Sequence, residues 1–332
     1  MFEFKAIILA GGSGERFWPL STPEKPKQFL RVFGGESLIR QSVGRLKGVL
    51  KPEDVFVVTS KALVAATRKE LPEIPRANII GEPMRRDTGA AIALGVGVAS
   101  QSGGDSASPK KDLVLGFFSS DQMVMNSEKF RKAVSAAIVK AKRTNSIVTI
   151  GIKPEYPATG FGYVNPKTGR FVEKPDARMA KVYLKKGFLW NAGMFIGRAE
   201  VFKAAFAAHA PALVPLFASP VSSLKSSYEP LPRISFDYAV MEKLKNVAVV
   251  KGDFGWDDVG TYGAFDKYFP HDSRGNVREG PCTVVEADDN ICVARSARIS
   301  LLGVKNLVVV TTPDAVLVAD KSRITEMKKL FR

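Results

Sequence analysis

The sequence predicts an α/β protein: an open, mostly parallel sheet with helices on both faces, followed by a small all-β unit. Three observations predict it. Short apolar runs at 6–10, 55–59, 78–80, 113–118, 147–151 and 247–251 have the length and residue types of buried strands. Helical patterns lie between them, the alternation expected of a sheet covered by helices. From Cys282 onward the runs CTVVEA, NICVA, LVVVTT and AVLVAD are broken by Asp288-Asp289-Asn290, Gly303 and Pro313-Asp314, which reads as stacked short strands.

Taken in order, the first strand runs into Gly11-Gly12-Ser13-Gly14. From there to Gly35 there is no periodic apolar pattern, and Pro19, Pro23 and Pro26 interrupt the stretch. A loop of that length inside a compact domain is characteristically functional. The first helix starts at Ser37, with Leu38, Ile39, Val43 and Leu46 behind it, and a second covers 61–71. A third, at 88–101, is rich in small residues and expected to be buried, with Thr88 as its N-cap. Ser127 reads as the N-cap of a fourth, because Phe130, Val134, Ala137, Ile138 and Ala141 fall on one helical face. Residues 211–232, rich in Pro and Ser, read as a surface excursion, and 236–243 mainly as a packing helix. The pattern changes around 268–280, so a larger domain is expected over 1–270 and the β unit over 271–332.

Composition narrows the function. No apolar run reaches membrane-spanning length, and the N-terminus lacks the basic-then-apolar profile of a secretory signal; a soluble cytoplasmic protein without a membrane partner is expected. The two cysteines, Cys282 and Cys292, and two histidines, His209 and His271, offer no disulfide framework, zinc spacing or histidine base. Net charge is +16, yet Lys and Arg are scattered and no nucleic-acid module is present, so nucleic acid is not the expected partner. Such a charge attracts anionic small substrates instead.

Residues 7–30 read IILAGGSGERFWPLSTPEKPKQFL. The glycines let backbone N–H groups approach an anion, and Arg16 and Lys27 can neutralise it, so a phosphate-rich ligand is expected. The loop is neither GxxxxGK(S/T) nor GxGxxG, since Phe17 stands where the last glycine would be. Lys25 is a second candidate cation. Further along lie Gly81-Glu82-Pro83-Met84-Arg85-Arg86-Asp87-Thr88-Gly89, ahead of a helix, and Ser119-Ser120-Asp121-Gln122, just past a strand. A loop carboxylate or a helix N-terminus can read a base edge. A carboxylate past a buried strand, such as Asp121, suits Mg²⁺. Phe254-Gly255-Trp256-Asp257-Asp258-Val259-Gly260 adds a second acidic site.

These strings, in this order over 7–260, resemble the signatures of the nucleotidyltransferases that activate sugar 1-phosphates; the KPKQFL ending is most similar to the mannose-1-phosphate guanylyltransferases. The resemblance implies a Rossmann-like catalytic domain. It places the triphosphate on Leu9, Ala10, Gly11, Gly12 and Gly14, with Arg16 and Lys27 at the reacting phosphates and Glu82, Pro83, Arg86, Asp87 and Thr88 against the nucleotide. W-x-D-V-G assigns the working carboxylate to Asp258 and leaves Asp257 on the variable position; Asp121 and Asp258 would together hold Mg²⁺ or Mn²⁺. The TGFGY, VEKP and WNAGMF segments imply sugar-phosphate contacts from Gly162, Glu173, Lys174, Asn191, Gly193 and Asp258. This chain departs from the commonest family pattern at Glu15 (usually Thr), at Asp87 and Gly89 (more often Asn and Ala) and at Gln122 (commonly His).

The implied reaction is GTP plus mannose 1-phosphate giving GDP-mannose and pyrophosphate. The alternatives are the same chemistry with glucose 1-phosphate and UTP or dTTP, and a non-catalytic sugar-nucleotide sensor. Relatives also imply a short left-handed β-helix at the C-terminus and a homodimer. Some carry a C-terminal isomerase domain, which this chain has no room for after the β unit, so no isomerase activity is expected.

Overall fold

The computed structural model describes residues 3–12, 14–102, 113–220 and 224–331; no helix among them is long and apolar enough to cross a membrane. The chain forms two compact units. The first comprises Met1–Gly11, Arg40–Ser120 and Val124–Trp256; the second comprises Gly12–Ile39, Asp121–Met123 and Asp257–Arg332. Residue 270, near which the sequence pattern changes, lies inside the second unit.

The first unit is built on β1 (Glu3–Ala10), β2 (Val55–Ser60), β3 (Ile79–Glu82), β4 (Leu113–Ser119), β5 (Val148–Ile152), β6 (Leu189–Arg198) and β7 (Ala248–Gly252), in the order β7-β5-β6-β4-β1-β2-β3. The pairs β7–β5, β4–β1, β1–β2 and β2–β3 are parallel. Six strands match the apolar runs of the sequence. The seventh, β6, shows in the sequence only as site segments; it runs antiparallel to both neighbours. Its polar and small residues, Asn191, Ala192 and Gly193, hide the strand pattern, and its place is set by pairing on both sides rather than by propensity.

The helix α1 (Asp87–Gln101) is buried along most of its length, as its small residues require. A Cβ on Gly95 would stand 2.9 Å from the Phe117 ring and 3.0 Å from Ile7, so glycine permits the close approach of helix to sheet. Thr88 does not cap this helix. Its hydroxyl accepts the Phe236 N–H (3.0 Å), and the Asp87 carboxylate accepts the Thr88 N–H (2.7 Å). The helix α2 (Ser127–Thr144) is capped by Asn126, one residue before the expected Ser127; the Asn126 side chain accepts the Lys129 N–H at 2.9 Å. The described part of 211–232 is not a surface excursion. Leu213, Leu216, Leu224 and Tyr228 are buried, and a Cβ on Gly97 would meet the Leu216 carbonyl at 2.7 Å. Apolar anchors spaced among prolines dock this segment on the glycine-bearing face of α1.

In the second unit, Val277–Glu279, Ile291–Ala294 and Leu307–Thr311 stack in parallel, and Val316–Asp320 closes the stack antiparallel. Cys282–Val285 and Ile299–Leu302 form a second parallel pair. Val277, Ile291 and Val308 lie in register and pack with Phe17, Leu20, Leu30, Phe33, Tyr262 and Phe265 in one core. Asparagines bind successive turns. Asn290 Nδ2 donates to Asn276 Oδ1 (2.8 Å), and Asn290 Oδ1 accepts the Leu307 N–H (2.9 Å). The 3₁₀ segment Lys321–Phe331 completes the core with Ile324 and Met327.

Candidate active site

Three clusters hold the candidate residues, one in the second unit and two in the first. In the second unit Gly14 takes φ +65°, and a Cβ there would lie 2.4 Å from the Lys27 backbone nitrogen. Only glycine lets the loop fold this tightly onto Lys27. Phe17 N–H and the Ser21 hydroxyl both donate to the Gly14 carbonyl. Lys27 is buried: its ammonium donates to Asp121 Oδ2 (3.0 Å) and to the Asp258 carbonyl (2.7 Å), and lies 5.9 Å from the centre of the Phe17 ring. These side chains, with Gly14, Glu15, Arg16, Gly260 and Lys328, line a cavity of about 170 Å³.

Around Gly260, Asp258 Oδ2 and Arg16 Nη1 come within 3.2 and 3.7 Å of where a Cβ would sit. Desolvation raises the Asp258 carboxyl above the ordinary range, with Asp121 adding to the rise and Lys27 and Arg16 opposing it. Asp257 turns elsewhere, accepting the Val259 N–H (2.7 Å) and the Lys267 ammonium (3.0 Å). Lys25 is exposed and faces a different cavity, lined also by Trp18, Arg31 and Arg295. The structure therefore gathers Arg16, Lys27, Asp121 and Asp258 and leaves Lys25 and Asp257 out.

In the first unit, β1 and β3 flank β2 and all three run parallel. A Cβ on Gly11 would stand 3.3 Å from Glu82 Oε2, and Glu82 Oε1 accepts the Tyr228 hydroxyl at 3.1 Å. Burial pushes the Glu82 carboxyl up to about 7; the Tyr228 hydrogen bond opposes the shift and Asp87 adds to it. Leu9, Ala10 and Gly11 at the end of β1 and Glu82 at the end of β3 thus lie at the carboxyl ends of parallel strands on either side of β2, where ligands of such sheets bind. Pro83 follows Glu82 in the turn leading to α1. The Arg86 guanidinium donates from Nε to the Tyr228 carbonyl (3.0 Å) and from Nη2 to the Glu229 carbonyl (2.8 Å).

A second group in the first unit surrounds Asn191 on β6. Asn191 Oδ1 accepts the Thr149 hydroxyl (2.7 Å) and the Gly193 N–H (3.1 Å), while Nδ2 donates to Asp237 Oδ1 (3.0 Å). One amide hydrogen of Asn191 remains for a ligand. Glu173 is buried; its N–H donates to Glu242 and its carboxylate accepts the Lys174 ammonium at 2.6 Å. A Cβ on Gly162 would come within 2.6 Å of Glu173 Oε2. Burial raises the Glu173 carboxyl, against the pull of Lys174. Burial would lower the Lys174 ammonium, but the bond and charge of Glu173 raise it on balance. Asp237, expected in a packing helix, stands in this cluster instead, pushed up to about 7 by burial and by Glu173. Its only signal in the sequence is a carboxylate within an otherwise apolar short helix (Phe236–Ala239).

Among the described residues no group of three or more His, Cys, Asp or Glu side chains converges as a metal cage. Asp121 and Asp258 are two carboxylates lining the same cavity, and one or two carboxylates is the number a hard divalent cation such as Mg²⁺ takes from protein.

Residues 5–274 match the nucleotidyl transferase family, and 280–332 match the MannoseP isomerase/GMP-like beta-helix domain. A mannose-1-phosphate guanylyltransferase of Klebsiella pneumoniae is 34% identical over 348 residues, covering 97% of this chain and 72% of the relative. The xanthan biosynthesis protein XanB of Xanthomonas campestris pv. campestris is 34% identical over 350 residues, covering 99% and 73%. The crystal structure of a mannose-1-phosphate geranyltransferase from Thermus thermophilus superposes with a TM-score of 0.88 at 33% identity, covering 99% of this chain and 98% of that one. This chain belongs to the nucleotidyl transferase family, among the mannose-1-phosphate guanylyltransferases.

Proposed function

We propose that this protein transfers GMP from GTP to mannose 1-phosphate, forming GDP-mannose and pyrophosphate. The cavity that joins Arg16 and Lys27 to Asp121 and Asp258 carries the reading, because it combines phosphate-binding cations with a divalent-cation donor pair. A phosphate oxygen of mannose 1-phosphate, already ionised near neutral pH, attacks the α-phosphorus in line. The bond to the bridging oxygen breaks, and its electron pair leaves with pyrophosphate. No protein base is required. Arg16 and Lys27 neutralise charge as it builds on the phosphates, and the glycine loop fixes their position. Asp121 and Asp258 would hold Mg²⁺ or Mn²⁺, which when bound neutralises phosphate charge.

Glu82 is the base-reading carboxylate, since guanine presents adjacent N–H donors that a carboxylate accepts in a pair. Glu173, Asn191 and Lys174 take the sugar hydroxyls and phosphate, with Gly162 and Gly193 admitting close approach. A homodimer, in the cytoplasm, completes the reading; Leu302, Val316 and Val318 leave apolar side chains exposed on the β unit. The test is pyrophosphate release across a panel of nucleotides and sugar 1-phosphates. GTP with mannose 1-phosphate should give the highest kcat/KM. A higher value for UTP or dTTP with glucose 1-phosphate would overturn the assignment.

A further inference from the structure

The C-terminal segment brings one more cation to the charged cavity. Lys328 lines it together with Arg16, Lys27, Asp121 and Asp258. The segment Lys321–Phe331 is fastened within its unit: Ile324 and Met327 are buried, and the Phe331 ring meets Trp18 edge-on at 5.9 Å. Its other described basic side chains, except Lys328, are paired. Arg323 and Lys329 both bind Glu326 (2.8 and 2.5 Å), and Lys321 binds Asp266 and Asp289 (2.7 and 2.6 Å). Lys328 makes no hydrogen bond or ion pair to any described residue. Lys27, by contrast, already shares its charge with Asp121. A triphosphate therefore meets more negative charge of its own than Arg16 and Lys27 alone offset.

We propose that Lys328 is a further catalytic residue that binds the terminal phosphates of GTP and then the departing pyrophosphate. The inference rests on the reading that this cavity takes the triphosphate. As the bond between the α-phosphorus and the bridging oxygen breaks, the electron pair moves onto pyrophosphate, and the Lys328 ammonium stands where that charge collects. A lysine on a flexible stem suits this task, because it is a compact point charge that can follow the leaving group. The exposed stem also makes the role separable from folding, since Lys328 contributes nothing to the buried core.

The experiment compares the full-length protein with Lys328→Ala, Lys328→Arg and the neighbouring Lys329→Ala. Losing one charge-assisted phosphate contact should lower kcat/KM for GTP about 10- to 100-fold. KM for pyrophosphate in the reverse direction should rise by a similar factor, while KM for mannose 1-phosphate stays unchanged. Lys328→Arg should recover most of the loss, and Lys329→Ala should behave as wild type. All variants should melt at the wild-type temperature. Wild-type constants for both GTP and pyrophosphate in Lys328→Ala would overturn the inference, as would a defect confined to mannose 1-phosphate. Calorimetric titration with pyrophosphate separates the two readings. Weakened pyrophosphate binding in Lys328→Ala supports the contact even if wild type fails to turn over GTP with mannose 1-phosphate, an outcome that would count against the proposed reaction alone.

Discussion

At Lys27, two of three ammonium hydrogens are committed within the protein, to Asp121 and to the Asp258 carbonyl. One hydrogen remains for a ligand, and the side chain is held rigid by the same bonds. Lys27→Ala or Asp258→Ala should reduce kcat on the order of 10²–10³, by comparison with loss of one preorganised charge-stabilising donor. Circular dichroism should show the fold retained; near-normal turnover in either variant would dismiss the assignment. Glu82 gives a prediction of a different kind. Its carboxyl titrates near 4.5 in the unfolded chain and near 7 in the folded one, so between those values the folded state holds the extra proton. Stability is full below the lower value and falls as pH rises through the window, by up to about 3 kcal/mol. Asp237 acts in the same direction. Denaturant titrations at pH 4.5 and 8 should show a smaller pH dependence for Glu82→Gln than for wild type; identical slopes would remove Glu82 as a contributor. At this scale the sequence was legible where a motif specifies geometry, as at Gly14 and Asp258. It was silent where a role depends on a distant partner: nothing near Asp237 in the chain announces Glu173 or Asn191.

Elements divide in the same way. Strands β1, β2 and β4 were legible because unbroken apolar runs with both faces buried have few other solutions. The strand β6 was not, because its composition is dictated by the cluster around Asn191. The helix caps shifted for a local reason: Asn126 offers a better-placed carbonyl than Ser127 offers a hydroxyl, and Thr88 turned to Phe236 instead. In the β unit the asparagines at 276 and 290 carry no ladder signal in the sequence, since their pairing exists only once turns stack. Asn290 is fully buried and bonds both neighbouring turns. Asn290→Ala leaves the Leu307 N–H and Asn276 Oδ1 without that partner, so it should cost about 1–3 kcal/mol. Urea unfolding followed by fluorescence would measure it, and an unchanged midpoint would show the ladder to be dispensable.

For the whole molecule, charge and assembly are the testable properties. A net charge of +16 should draw GTP and mannose 1-phosphate by long-range attraction. kcat/KM should fall several-fold as ionic strength rises from about 0.05 to 0.5 M, because the screening length shortens, whereas kcat should change less. Insensitivity to salt would confine the charge to a solvation role. Light scattering should return twice the 36.1 kDa chain mass if the exposed apolar side chains of the β unit join two copies. Leu302→Lys with Val318→Lys should then give a single-chain mass, and a wild-type monomer would discard the dimer.

By itself the sequence determined the alternation of strands and helices, the glycine loop with its two cations, the paired acids and the family, because each is written in residues close together in the chain. Only the tertiary structure decided that the Arg86 guanidinium is taken by carbonyls, that Thr88 turns to Phe236, that Asp237 joins Asn191 and that Lys328 reaches the cavity of Arg16 and Lys27. Those outcomes depend on contacts between segments far apart in sequence, where burial and hydrogen-bond competition, not local propensity, set the result.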